Sequence, residues 1–242
     1  MSPKILNLGC GTRTSANTIN IDWSPQVRIK ASKFGDKVAK QLLSGERLAN
    51  YNSLEGDLMV HDLRKGIPFE SGSIDAVYHS HVLEHIDRDA IDGFLAEIKR
   101  VLRPGGVHRI VVPDLEPMIR GYMDSLAAID AGHGDPAAHD AHVASFAEQM
   151  VRREAAGTSQ QPPVRRKLEN ALLGDARKRG ETHQWMWDRV NLGAVLTDAG
   201  FENPTVVDFK TSAIPEWTQT GLDQEPDGTE YRPGSLYLEA TR

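Results

Sequence analysis

Several things are scarce in this 242-residue sequence. It holds one cysteine, Cys10, so no disulfide can form within the chain and a disulfide-stapled scaffold is excluded. No apolar run approaches the roughly 20 residues that a membrane helix needs. The opening Met-Ser-Pro-Lys leads into an apolar segment too short and too early for a signal peptide, so a soluble, cytoplasmic protein without membrane insertion is expected. Basic residues are in the minority, 28 Lys+Arg against 34 Asp+Glu for a net charge of −6, a balance that disfavours nucleic acid as a partner. No internal repeat or heptad is present. At 39% hydrophobic and 26% charged residues, the chain is that of an ordinary globular protein, long enough to bury a sizeable core.

Segments suited to strands alternate with segments of helical period, the pattern of a parallel sheet covered by helices. Strands are expected at 5–8, 19–22, 58–61, 74–79, 107–112, 205–209 and 236–240. The clearest helix is 89–102, where Ile91, Phe94, Leu95, Ile98, Val101 and Leu102 recur at helical spacing, with Asp87 as its N-cap. Arg103-Pro104-Gly105-Gly106 should stop it and turn the chain into the next strand. A second helix, 188–199, should carry Val190, Val195 and Leu196 inward and end at Gly200. Residues 23–56 are mixed, partly helical through 38–48. Residues 114–187 break the alternation, and they leave from the carboxyl end of a strand, where an open parallel sheet binds its ligands; a helical lid is expected there.

Leu6-Asn7-Leu8-Gly9-Cys10-Gly11-Thr12 follows the first strand directly. Glycines 9 and 11 let the backbone turn tightly and approach a ligand closely. The third glycine of a dinucleotide fingerprint would fall at Arg13 or Thr14 and is absent. Asp22 ends the next strand, where it either accepts from the two hydroxyls of a ribose or caps the turn before Trp23-Ser24-Pro25. In these segments, in Ser73–Tyr78, in Val82-Leu83-Glu84-His85-Ile86 and in the run Glu97–Gly106, the chain resembles the class I S-adenosylmethionine-dependent methyltransferases, in family order over most of residues 4–114. His79–His85, Val112-Pro113-Asp114-Leu115, His183–Asp188 and Arg232–Glu239 look like the branch associated with polysaccharide and glycan biosynthesis. Two features depart from the pattern. The first two strands are joined too closely for the usual helix, and Asn7 stands where many relatives carry an acid.

The resemblance implies a single α/β domain over 1–242: a Rossmann-like, seven-stranded, mostly parallel sheet with helices on both faces and a helical lid inserted at 114–187. It implies S-adenosyl-L-methionine as cofactor and no metal. Leu8, Gly9, Cys10 and Gly11 would bring main chain against the cofactor, and Asp22 would take the ribose hydroxyls. Asp62 would accept from the adenine amine with the amide of Leu63 beside it, although Asp62 also reads as a helix N-cap. His79 and Ser80 would flank the sulfonium.

Methyl transfer is an in-line displacement, accelerated by collinear positioning in a dry site, and an alcohol acceptor also needs a base. His81 and His85 lie on the strand-to-helix turn and His183 in a cluster with Trp185, Trp187 and Asp188; these three histidines are the candidate bases. His85 equally reads as a brace for its loop, and Glu84 as a solvated or capping carboxylate. The two tryptophans read either as a platform for a sugar ring or as core anchors. His133, His139 and His142 follow no established metal spacing and read as a solvated helix face. From Arg152 to Arg179 the local charge is +5, leaving −11 for the rest; that run is either a solvated surface or a contact for an anionic acceptor. The expected activity is methylation of a small-molecule or glycan acceptor, foremost a sugar hydroxyl. The alternatives are N-methylation of a small metabolite, methylation of RNA, a non-catalytic cofactor-binding module, and an NAD-dependent oxidoreductase.

Overall fold

The computed structural model describes residues 3–150 and 182–242. Seven strands, β1 (Ile5–Leu8), β2 (Ile19–Asp22), β3 (Asp57–Val60), β4 (Ile74–Ser80), β5 (Leu102–Pro113), β6 (Glu202–Val207) and β7 (Ser235–Thr241), form one sheet in the order β3-β2-β1-β4-β5-β7-β6. Only β7 runs antiparallel to its neighbours, β5 and β6. The chain winds outward from β1 to β3 and then crosses to β4, so the edge between β1 and β4 is the switch point where such sheets bind ligands. All seven expected strands form. Residues 103–106 differ from the expected turn: they extend β5 as an exposed bulge, with Ile74 paired to Leu102 but Ala76 to Val107. The edge strand β6 starts three residues early, because its pairing with β7 sets its extent and its half-exposed side chains do not.

One face is covered by α4 (Ile91–Val101) and α7 (Arg189–Asp198). Leu6, Leu8, Val77, Ile110 and Leu238 of the sheet meet Leu95, Ile98, Leu192 and Leu196 of the helices. Val190, expected inward, is 66% exposed; Leu192 takes the inward place. Asp188 sets that phase by accepting from the amides of Val190 and Asn191 at 2.8 and 2.9 Å, while the Asn191 side chain accepts from the Asp188 amide at 3.0 Å. Asp87 makes no side-chain cap; a 3₁₀ turn, Arg88–Ala90, precedes α4 instead. On the other face, α1 (Pro25–Lys30), α2 (Gly35–Leu42) and α3 (Gly45–Asn52) pack beside β3 through Val27, Ala39, Tyr51 and Leu54.

Among the described residues the rest of that second face carries no α-helix. Over β4, β5 and β7 lies the irregular segment 208–223, which buries Ile214, Trp217 and Leu222 against Tyr78, Val111 and Tyr237. Arg109 of β5 pins it. This fully buried guanidinium donates to Asp223 at 2.9 Å, to Glu239 at 2.7 Å, and to the carbonyls of Thr211 and Asp208. Asp223 also accepts from the Tyr78 hydroxyl at 2.6 Å and the Trp217 indole at 3.0 Å.

Over β1 and β2 a hydrogen-bonded loop replaces the missing helix. The buried Asn20 side chain donates to the carbonyls of Ser15 and Thr18 at 3.0 and 3.1 Å and accepts from Thr18 Oγ1 at 2.9 Å. Asn7 donates to Asn20 Oδ1 at 3.0 Å and to the Arg13 carbonyl at 2.9 Å. An asparagine at position 7 is thus the partner this short loop requires. Arg13 in turn reaches the carbonyls of Gly221, Leu222 and Gln224 and stacks on Tyr231, tying the glycine turn to the distant chain.

The excursion after β5 opens and closes at one place. Asp114 caps α5 (Leu115–Asp130), and the Leu115 amide donates to the Trp187 carbonyl at 2.9 Å. Antiparallel α6 (Pro136–Met150) leans on α5 through His139, whose Nδ1 lies 3.2 Å from Ser125 Oγ. The basic run 152–179 lies outside the described residues.

His79 and His108, both fully buried, face each other Nε2 to Nε2 at 3.0 Å. That contact works only between neutral rings, one donating and one accepting. Burial holds His79 down to about 4, with Glu84 pulling weakly the other way, and holds His108 well below its ordinary value. Both states are neutral above about pH 6.5; as pH falls from there the unfolded chain takes up protons that the folded chain refuses. Stability should therefore fall between about pH 6.5 and 4, by roughly 3 kcal/mol from His79 alone, measured by urea unfolding. A His79→Phe variant should flatten the profile, and an unchanged pH dependence would show that His79 does not cause it.

Candidate active site

The carboxyl ends of β1, β2 and β4 converge on the glycine turn. Gly9 and Gly11 have φ of 63° and 53°, values that favour glycine. A Cβ on Gly9 would lie 2.6 Å from Val82 Cγ2, so only glycine lets the turn pass beneath Val82. A Cβ on Gly11 would meet nothing within 4 Å, leaving its main chain open to a ligand. Cys10 between them is buried, and burial pushes its thiol far up, so the position suits a small neutral side chain and no redox chemistry.

Asp22 Oδ2 accepts from the Gly11 amide at 2.8 Å, and Oδ1 from the Ser24 amide. The carboxylate thus both caps the turn and sits against the second glycine, and its remaining lone pairs can accept two hydroxyls. Asp62, beyond β3, caps the 3₁₀ turn Leu63–Lys65, and Arg64 grips both its oxygens at 2.8 Å. That grip holds its carboxyl below the usual range. Leu63 packs against the core. His79 carries its imidazole into the core beside Phe94 and His108, away from the carboxyl edge; Ser80, the next residue, is half-buried at that edge.

Past β4 the chain turns sharply at His81, a non-glycine residue with φ of 53°, and continues into the 3₁₀ turn Leu83–His85. Backbone strain of this kind gathers at functional sites. Glu84 is the surprise. Read from sequence as solvated or capping, it is fully buried, and its Oε2 has no hydrogen-bond partner among the described residues. His81 Nδ1 stands 3.2 Å from Glu84 Oε1 and His85 Nε2 stands 3.9 Å from it. Burial pushes the Glu84 carboxyl up, but the two histidines outweigh that and hold it below its ordinary value. His81 Nε2 meets the Ser235 hydroxyl at 3.0 Å, and His85 Nδ1 meets the Thr182 carbonyl at 3.2 Å.

His183 joins this group, edge-on to His85 with ring centroids 4.8 Å apart, so all three histidines singled out from sequence converge on Glu84. The Gln184 amide donates to the Glu84 carbonyl at 2.6 Å, strapping the two segments together. The neighbouring tryptophans divide their roles: Trp187 is a fully buried core anchor, while Trp185 is 44% exposed beneath the Arg88 guanidinium. Sequence reasoning missed Glu84, Ser235 and Val82. The only signal for Glu84 was a carboxylate with histidines three before and one after it, set between Leu83 and Ile86.

A cleft of about 500 Å³ lined by Lys4, Asn17, Thr18, Asp57 and Glu216 opens at the amino ends of β1 to β3, at the far side of the sheet from this cluster. No helix among the described residues is long and apolar enough to cross a membrane.

Residues 6–110 match the model of a methyltransferase-domain family. Over 120 residues the chain is 34% identical to an uncharacterized protein in transposon TN4556 from Streptomyces fradiae, covering 49% of this chain and 32% of that one. The chain therefore spans about a third of that relative's length. Among solved structures it is similar to a SAM-dependent methyltransferase from Methanosarcina mazei, at 16% identity and a TM-score of 0.46, covering 100% of this chain and 92% of the other. A second, from Archaeoglobus fulgidus, is 11% identical with a TM-score of 0.44, covering 100% and 86%. The family match runs from β1 into β5, through the glycine turn, Asp22 and the Glu84 cluster.

Proposed function

We propose that the protein methylates a hydroxyl of a small-molecule or glycan acceptor, a sugar hydroxyl above all, with His81 as general base. The observation that carries this reading is the Glu84–His81 pair beside the glycine turn. An amine acceptor needs only to arrive neutral, whereas a hydroxyl must lose a proton, and a carboxylate-oriented imidazole is the device for removing it. Glu84 beside Nδ1 holds the ring, and Nε2, 3.0 Å from Ser235 Oγ, is the nitrogen left to face an acceptor hydroxyl. Resemblance in sequence at residues 79–85, 112–115, 183–188 and 232–239 supports a glycan-type acceptor.

Bound S-adenosyl-L-methionine supplies an electrophilic methyl on a cationic sulfur. The main chain of Leu8, Gly9, Cys10 and Gly11 would lie against it, and Asp22 would accept from the ribose hydroxyls. Asp62 and the Leu63 amide would read the adenine, the former at the cost of loosening Arg64. Ser80 and the main chain of residue 79 would flank the sulfur, because the His79 ring is committed to the core. The excursion 114–187 reads as a lid within one domain; its joined ends at Asp114 and Trp187 support this, and residues 151–181 lie outside the described residues.

The test is a methyl-transfer screen over nucleotide sugars, glycans, small amines and RNA. Sugar acceptors should lead, and His81→Ala should lower kcat by roughly 10²–10⁴ while S-adenosylhomocysteine affinity stays within about threefold. An amine or RNA outrunning every sugar would overturn the acceptor class, and an unchanged kcat would overturn the role of His81.

A further inference from the structure

Glu84, His85 and His183 each offer one ligand atom, and the three atoms lie within 4.8 Å of one another. Three features set this group apart from a chance cluster. Glu84 is fully buried, its Oε1 faces only imidazole nitrogens and its Oε2 meets no hydrogen-bond partner among the described residues, an arrangement that is costly unless a further positive group completes it. His85 meets a main-chain carbonyl, that of Thr182, with Nδ1, which fixes its tautomer and turns the lone pair of Nε2 toward Glu84; metal-bound histidines are oriented in this way. The two segments are also locked in register by the Gln184 amide on the Glu84 carbonyl, so His183 is held to the turn that carries the other two ligands.

We propose that Glu84, His85 and His183 form a binding site for a divalent transition-metal ion, with zinc as the best-matched occupant. Two imidazoles and one carboxylate are a known zinc donor set, and three protein ligands leave an open position. Ligand atoms around tetrahedral zinc sit roughly 3.3 Å apart, so the group must contract by rotation of the half-buried His85 and His183 side chains. His81, on the other side of Glu84, then acts as the group that orients the carboxylate. The site replaces the metal-free expectation drawn from sequence. Its existence stands on the donor geometry alone; a role in binding and acidifying an acceptor oxygen rests on the methyl-transfer reading above.

Full-length protein, stripped with chelator, should be titrated with Co²⁺ and followed by visible absorption, with Zn²⁺ competing. One equivalent per chain with absorption of low-symmetry coordination is expected. His183→Ala and His85→Ala should each weaken binding at least roughly tenfold, and Glu84→Gln should do the same if it folds. A His139→Ala/His142→Ala variant should bind as wild type, excluding the histidines of α6. No stoichiometric uptake, or uptake unaffected by His183→Ala and His85→Ala, would overturn the site. Calorimetry with S-adenosylhomocysteine on the same stripped sample keeps the two ideas separate: cofactor binding without metal uptake sinks the metal site alone, and the reverse sinks the methyl-transfer reading alone.

Discussion

Asp22→Ala should weaken S-adenosylhomocysteine binding on the order of 100-fold. The carboxylate stands at the carboxyl end of β2 with one oxygen on the Gly11 amide, so on the proposed reading it both accepts from the cofactor ribose and holds the glycine turn. Two hydrogen bonds from ribose hydroxyls to an ionised acceptor contribute about 3 kcal/mol together, and 1.4 kcal/mol is tenfold in affinity. Asp22→Asn keeps an acceptor oxygen and should fall between, near tenfold. Calorimetry reads both numbers. An alanine variant that binds within about threefold of wild type, its thermal unfolding unchanged, would leave Asp22 as a turn cap and nothing more.

Arg109→Met should destabilise the fold by about 3–5 kcal/mol, because it strands Asp223 and Glu239 in the core without a counter-charge. Burial already pushes the Asp223 carboxyl above its ordinary value even with the guanidinium beside it. The loss should appear as a lower urea midpoint with an unchanged slope. Adding Asp223→Asn and Glu239→Gln to Arg109→Met should recover part of it, since neutral amides are cheaper to bury than unpaired carboxylates. A single variant within about 1 kcal/mol of wild type would mean that the apolar packing of Ile214, Trp217 and Leu222 alone holds the segment over the sheet.

Both effects involve residues on strands, yet only one was readable in the sequence. Asp22 announces itself by ending a short apolar strand just after a glycine turn. Arg109 sits in Val107–Val112 beside His108 in an otherwise apolar run, and its acids lie 114 and 130 residues away. No local period links them. The strands were legible as short apolar runs between turn residues, and α4 because its period is sustained over three turns. Val190 was misplaced because α7 shows almost no amphipathic pattern; its phase comes from Asp188 and Asn191. The Glu84 cluster was half-legible. The histidines were visible as chemistry, but the carboxylate that unites them was masked by a 3₁₀ turn, whose tighter winding turns inward a side chain that an α-helix would send elsewhere.

The placement of β7 bears on how this molecule comes into being. It lies between β5 and β6, so the strand made last is not at the sheet's rim but inside it. During synthesis β5 emerges as a bare edge, with Arg109 exposed and the glycine turn missing its anchor at residues 221–224, until a further hundred or so residues have left the ribosome. Such non-local closure is slow and leaves an aggregation-prone edge in the meantime. The stretch that matches the methyltransferase-domain family, 6–110, expressed by itself would end within an unpaired strand and carry an uncompensated arginine.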